Sequence, residues 1–273
     1  MVRRLLLLGA ALLAAVAGLG LSSDGSGRIL WSFLPGRYEG NYDANGVPKH
    51  LAAARVPAAE LVDRVKALLP DRQRLPSLHP DLLADDDAAN PRLARDASVF
   101  VTFVQADTVA RNAFGFFEWH EGEQPRTRGD VDETVVFPNA TAAHSAGAPG
   151  LHAGDTVDLG RFRAGSRLGF FLAAGGFDAV SGVKQRQDQG HIFYTLEGLN
   201  PERDHARRGH AVLLHDRATG TLVLGMEDML RDGSSDEDFN DLVFVVTADP
   251  PDAFDPATLR PLPAAPSIRP TGR

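Results

Sequence analysis

The chain reads as a mainly β protein, an antiparallel β-sandwich or jelly-roll-like body preceded by one short amphipathic helix. Three observations predict it. Nine β-type runs follow one another from residue 97 onward, separated by Gly, Pro, Asn and Asp. No long helical pattern lies between them. With 27 Gly, 18 Pro and 43% hydrophobic residues in 273, the composition suits a turn-rich globular chain better than a helix bundle, and the length is ample for a sizeable core.

The first residues read as a secretory signal, with Arg3 and Arg4 as the positive region, Leu5 to Ala17 as the apolar stretch and Ala15-Val16-Ala17 as a small-x-small cleavage site. The stretch is shorter than the roughly 20 residues a spanning helix needs, so 1–17 is expected to be cleaved. The mature chain then begins near Gly18 and is secreted, to the periplasm or beyond it. No later segment could span a bilayer.

Residues 18–96 form a lead-in. Within it Pro57 marks a helix start, Leu61, Val65, Leu68 and Leu69 recur at helical spacing, and Pro70 ends the run, predicting a helix near 58–69. A proline-punctuated loop follows. The β domain spans 97–248 through "ASVFVTFVQA", "AFGFFEWH", "ETVVFPN", "TVDLGRF", "RLGFFLAA", "HIFYTLE", "HAVLLHD", "TLVLGME" and "DLVFVVT". The first of these is apolar on both sides, as is Leu242 to Val246, so both are expected to be central strands. The proline-rich tail, 249–273, is expected to be extended or disordered.

The formal charge of -8 becomes -10 once Arg3 and Arg4 are removed. Basic residues are scattered among acids, which argues against nucleic acid as a partner. The chain has no cysteine, which excludes disulfide staples, thiolate metal sites and a cysteine nucleophile. In a secreted chain of this kind a metal ion is the available staple.

The stretch "GMEDMLRDGSSDEDFNDLVFVV" sets seven carboxylates beside an apolar strand. Two carboxylates about 4 Å apart repel by roughly 1 kcal/mol in water and about 4 near a protein surface, so something must offset the crowding, or the acids must point apart. Asp236, Asp238 and Asn240 alternate, with Asp241 next, and such spacing can aim oxygen ligands at one point as calcium requires. Asp241 and Thr247 stand where a helix-loop-helix calcium loop needs Gly and Glu, so this is not such a loop. Glu227 and Asp228, at the end of the preceding run, could supply the missing oxygens if "MLRDGSSDED" folds as a hairpin-like loop. The alternative is a solvated acidic loop with side chain-to-backbone turns.

The same string resembles the G-F-E-D-L, Gly/Asp-rich spacer, D-x-D-F-N-D-V-V-F hallmark of a bacterial secreted family, domain of unknown function 4114. "VTFVQADTVARNAFGFFEW", "VVFPNATAAHSAGAPGLHAGDTVDLGRFRAGSRLGFFLAAGGF" and "HIFYTLEGLNPERDHARRGHAVLLHD" resemble it as well, so the likeness covers 97–248. "YDANGVPKHL" and "LLPDRQRLPSLHPDLLADD" resemble the lead-in found before that domain. The resemblance implies an extracellular β module with a presumed calcium site, no established enzymatic activity, and Glu227, Asp228, Asp236, Asp238, Asn240 and Asp241 at the hallmark positions. Met226 replaces the usual aromatic, and "ADTVA", Ala106 to Ala110, replaces a Gly-rich segment.

Weaker signals complete the reading. Asn41, Asp43, Asn45 and Gly46 could open a second calcium loop, although an Asn-Gly turn explains them equally well. Asp85 to Asp87 read as a solvated charge run. His191, His205, His210 and His215 lack zinc spacing and read as core or surface residues. Ser166 lacks the strand-turn-helix context of a hydrolase nucleophile.

The expectation is a non-enzymatic calcium-binding module, structural or adhesive, with calcium and a surface glycan or surface protein as partners. Two alternatives stand beside it. One is a carbohydrate-binding module using Trp119, Tyr194 and Phe177; the other is a secreted hydrolase using its carboxylates.

Overall fold

The structure is a computed structural model that describes residues 42–83, 88–143, 149–184, 191–233 and 235–263, together with the backbone of three short strands nearer the N-terminus. The expected signal segment, 1–17, lies outside the described residues.

The strands are β1 (Leu21–Ser23), β2 (Ile29–Trp31), β3 (Gly36–Tyr38), β4 (Ala97–Ala106), β5 (Ala113–Trp119), β6 (Glu133–Phe137), β7 (Thr156–Phe162), β8 (Arg167–Ala173), β9 (Phe177–Asp178), β10 (Gly182–Val183), β11 (Ile192–Tyr194), β12 (Ala211–Asp216), β13 (Thr221–Met226) and β14 (Leu242–Asp249). All nine runs expected from the sequence form strands. Two five-stranded sheets result, ordered β11-β8-β5-β6-β3 and β12-β13-β14-β4-β7. Their internal pairings are antiparallel except β3 with β6, where the lead-in adds a parallel edge strand to the first sheet.

The sheets face each other across an aromatic core. Phe114 of β5 stacks on Phe244 of β14 with centroids 3.9 Å apart, and Phe137 of β6 lies 5.6 Å from the same ring. Val101, Phe103, Leu168, Phe170, Leu222 and Leu224 complete this layer. β4 and β14 are inner strands of the second sheet, as their two-sided apolar pattern requires.

Each sheet is also covered on its outer face. Over the second sheet lies α1 (Ala59–Leu68), whose buried Leu61, Val65 and Leu68 pack with Leu69 onto Val212, Leu214, Val223, Val243 and Val245. The helix ends where the Leu69 N–H bonds back to the Val65 carbonyl and Pro70 follows. A second short helix, α2 (Leu75–Leu78), continues the layer through buried Leu75. Over the first sheet, Tyr42, Phe177 and Val183 pack against Ala113, Phe171 and Tyr194. The covering layers explain why several strands read as continuous apolar runs instead of alternating ones.

The tail departs from expectation. Residues 249–263 are not disordered: Ala253, Phe254 and Leu259 enter the inter-sheet core and Leu262 joins the helix layer. The segment bonds to the body through Ala94 N–H to the Ala253 carbonyl at 2.7 Å and Leu262 N–H to the His215 carbonyl at 2.8 Å. Apolar residues between the prolines supply the burial that the proline content masks. Residues 264–273 lie outside the described residues.

Candidate metal centre

β13 and β14 pair antiparallel with Met226 opposite Leu242, so the loop between them folds its two ends together. Glu227 and Asp228 leave one strand just as Asn240 and Asp241 enter the other. The Asp228 N–H donates to Asp241 Oδ2 at 2.7 Å and locks the two ends. Gly225 permits the close return of the chain, since a Cβ there would stand 2.4 Å from the Phe239 carbonyl oxygen.

The loop is tied inward. Glu227 is fully buried; its Oε1 accepts from the Phe239 N–H at 2.8 Å and its Oε2 accepts from the Ser235 hydroxyl. Asp228 Oδ2 accepts from Thr108 Oγ1 at 2.6 Å and Asn112 Nδ2 at 2.7 Å. Asn240 donates through Nδ2 to the Leu69 carbonyl at 3.4 Å. Glu237 pairs with Arg231 Nε at 3.2 Å and with Arg74.

One side of the loop gathers a different set. Asp236 and Asp238 meet Asp71, which follows α1, with an oxygen from each lying within 4.8 Å of the other two. Two oxygens on one calcium can be at most about 5.2 Å apart, twice a bond of roughly 2.6 Å, so this set fits such an ion. The donors are all hard oxygens, which matches calcium rather than zinc or copper. Asp71 and Asp236 are exposed and Asp238 is buried, so an ion could enter from solvent and still touch the buried acid.

Further carboxyl groups lie buried in the same loop. Burial pushes the Glu227 carboxyl up to about 7, with Asp238 and Asp236 adding to the rise against the bonds from Ser235 and Phe239. Burial and the neighbouring Asp228 and Glu227 push Asp241 up to about 9. Asp238 is raised by burial and by Asp236 and Asp71, against the N–H groups of Arg72 and Asn240. A divalent cation would reverse the sign of the field that these groups feel.

The backbone is strained at this place. Among the described residues, Arg72, Glu237 and Phe239 are the non-glycine positions in the left-handed region, with φ of 57°, 59° and 59°. Such conformations cost of order 1–3 kcal/mol each and persist where surrounding contacts over-determine them. All three belong to the acidic loop or to the segment docked on it.

Of the six residues expected from the sequence, the structure places Asp236 and Asp238 in the oxygen triad, while Glu227, Asp228, Asn240 and Asp241 line the loop behind it in internal hydrogen bonds. Sequence reasoning missed Asp71, and also Thr108 and Asn112, which hold Asp228. The helix stop at Pro70 was the one local sign that the chain turns at Asp71. Thr108 lies within "ADTVA", whose departure from the resembled pattern marked that segment.

The remaining candidates fall elsewhere. Asp43 Oδ1 accepts from the N–H groups of Asn45 and Val47 at 2.8 and 3.0 Å, forming a turn that Gly46 completes at φ 81°, while Asn41 lies outside the described residues. Asp85 to Asp87 lie outside them as well. His210 and His215 are buried and His191 and His205 exposed, and none belongs to the oxygen triad. Ser166 donates to Glu118 Oε1 at 2.5 Å in the turn before β8. Trp119, Tyr194 and Phe177 are 5%, 0% and 3% exposed, so they do not form a sugar-stacking surface; they cover the outer face of the first sheet. No helix among the described residues is long and apolar enough to cross a membrane.

Comparison with the curated proteins and with the solved structures gives no match. Comparison with family models gives one over residues 162–249, from the end of β7 through β14, a span that contains the whole acidic loop. The matching model is that of the family described as Domain of unknown function (DUF4114), and the similarity is to residues 162–249, about a third of the chain.

Proposed function

We propose that the protein is an exported, non-enzymatic β-sandwich module that binds a calcium ion at Asp71, Asp236 and Asp238, and that the ion serves a structural or adhesive role. The observation that carries the reading is the convergence of those three carboxylates at the loop that also holds Glu227 and Asp241, whose pKa values burial and neighbouring acids raise. Three carboxylates supply part of the six to eight oxygens calcium takes, leaving the remainder to carbonyl groups, water or a partner. The position suits a clamp: one ligand comes from the lead-in and two from the loop joining the central strands, so an ion there would fasten the helix layer to the sheet.

The chain's own residues prepare the place. Glu227 holds the loop through Phe239 and Ser235, Thr108 and Asn112 fix Asp228, and Arg231 with Arg74 neutralises Glu237 so that it does not add to the repulsion. The test is a thermal melt in millimolar calcium against chelator. At a dissociation constant of about 10⁻⁴ M and calcium near 10⁻³ M, linkage stabilises the fold by on the order of 1.4 kcal/mol. An unmoved melting temperature would remove the reading.

A further inference from the structure

A pocket of about 410 Å³ lies between the N-terminal end of α1 and the outer face of the second sheet, at the opposite end of the helix from Asp71. Its volume is within the roughly 300–1,000 Å³ of small-molecule sites. Val56, Pro57, Leu61 and Val245 give it an apolar side. The polar side is under-satisfied. Arg64 holds Asp216 Oδ1 through Nη1 at 3.1 Å and the Pro263 carbonyl through Nη2 at 3.2 Å, which leaves its buried Nε–H without a partner among the described residues. The buried Thr247 hydroxyl has none among them either. Arg55 lies with Cζ 3.6 Å over the Phe100 ring, and its guanidinium makes no ion pair with any described residue.

Buried donors without acceptors are rare in folded proteins, and each marks a position where an incoming acceptor replaces a lost hydrogen bond. Two of them beside an exposed guanidinium that is held in no ion pair among the described residues suit an anion. Two carboxylates line the pocket: Asp216 is already paired with Arg64 and Thr219, and Glu60 sits in the exposed first turn of α1, where solvent screens its charge. Thr221 and Thr247 add hydroxyls that can both donate and accept, and the apolar side suits the carbon face of a ring. A second pocket of about 400 Å³ shares Arg64 and Asp216 with the first and contains His215, whose buried Nδ1 is also unpartnered.

The geometry points to a binding site for a small hydroxylated carboxylate, the chemistry of a uronic acid, held by Arg55, the Arg64 Nε–H and Thr247. The ligand is either the free acid or the terminal residue of an acidic polysaccharide. The pocket shares no residue with the acidic triad, so failure of calcium binding leaves it standing and its own failure leaves calcium binding untouched.

The test is a calorimetric titration of the full chain in chelator, because uronates themselves bind calcium, with glucuronate, glucose, acetate and a glucuronate-terminated oligosaccharide. Saturable glucuronate binding is expected, with glucose and acetate much weaker. Arg55→Gln and Thr247→Val should each weaken glucuronate by about tenfold, the worth of one hydrogen bond to a charged group. Thr247→Val should leave the melting temperature nearly unchanged, since its hydroxyl bonds to no described residue, whereas Arg55→Gln also gives up the stacking on Phe100, worth about 0.5–1 kcal/mol, and should lower it slightly. Tighter binding of the oligosaccharide assigns the polymer as source, and equal binding assigns the free acid. No saturable glucuronate binding, equal binding of glucose or acetate, or wild-type affinity in both variants would overturn the assignment.

Discussion

The backbone N–H of Arg72 donates to Asp238 Oδ2 at 2.7 Å, across 166 residues of sequence. This bond ties the segment after α1 to the acidic loop, and the neighbouring Leu75 N–H repeats the tie by donating to the Glu237 carbonyl at 2.8 Å. The lead-in is thus a structural part of the candidate metal centre, so changes in either should be felt by the other.

Leu75 is completely buried against this junction. Leu75→Ala should cost about 2–5 kcal/mol through lost burial and the cavity left behind. A urea unfolding midpoint equal to wild type would show that the lead-in docks without contributing to stability.

Arg231 and Glu237 are 4% and 5% exposed at their side chains, and Arg231 Nη1 also donates to the Gly209 carbonyl at 2.6 Å. Arg231→Met removes one partner of a buried pair and should cost about 3–5 kcal/mol, reduced to the extent that Arg74 retains Glu237. The double variant Arg231→Met, Glu237→Leu should recover part of that loss in equilibrium unfolding, because it removes the stranded charge as well.

At Gly169 an added Cβ would meet the Phe117 ring at 2.1 Å, and at Gly115 it would meet the Thr134 carbonyl oxygen at 2.2 Å. Gly115→Ala should be the worse of the two, since a backbone carbonyl in a paired strand cannot move aside as a ring can. Losses of at least about 1–3 kcal/mol are expected for each from overpacking. Circular dichroism melts of the two variants give the order.

His210 is stacked on Phe193 with centroids 3.8 Å apart, and its Nε2 lies 2.6 Å from Glu202 Oε1. Burial holds its pKa below the ordinary value despite Glu202, with the Arg231 charge acting in the same direction as burial. Its buried Nδ1 has no acceptor among the described residues, so a proton there would go unsatisfied by them. The folded state therefore binds this proton less readily than the unfolded chain. The stability it contributes is complete above the unfolded value near 6.5 and is lost as pH falls from there through the lower folded value. Unfolding midpoints measured from pH 7.5 down to 5 for wild type and His210→Gln should converge toward the acid end; parallel curves would rule this out.

Much of the fold was legible because strand and helix patterns are local. All nine β-type runs became strands, and Leu61, Val65 and Leu68 became the buried face of α1. The tail was misread because proline content reports what a backbone cannot do, whereas Phe254 and Leu259 decide where it packs. The candidate site was half legible: Asp236 and Asp238 alternate in sequence, but Asp71 joins them only through tertiary contact. Trp119, Tyr194 and Phe177 were misplaced because residue type does not tell an exposed platform from a covered sheet face.

The most direct measurement of the central claim is a calcium titration by calorimetry on wild type, Asp238→Asn and Asp71→Asn. One saturable site with a dissociation constant of about 10⁻⁴ to 10⁻³ M is expected in wild type, the range of extracellular modules. Each variant should bind at least about tenfold more weakly, a loss of roughly 1.4 kcal/mol. Absence of binding heat together with a melting temperature indifferent to calcium, or wild-type affinity in both variants, would contradict it.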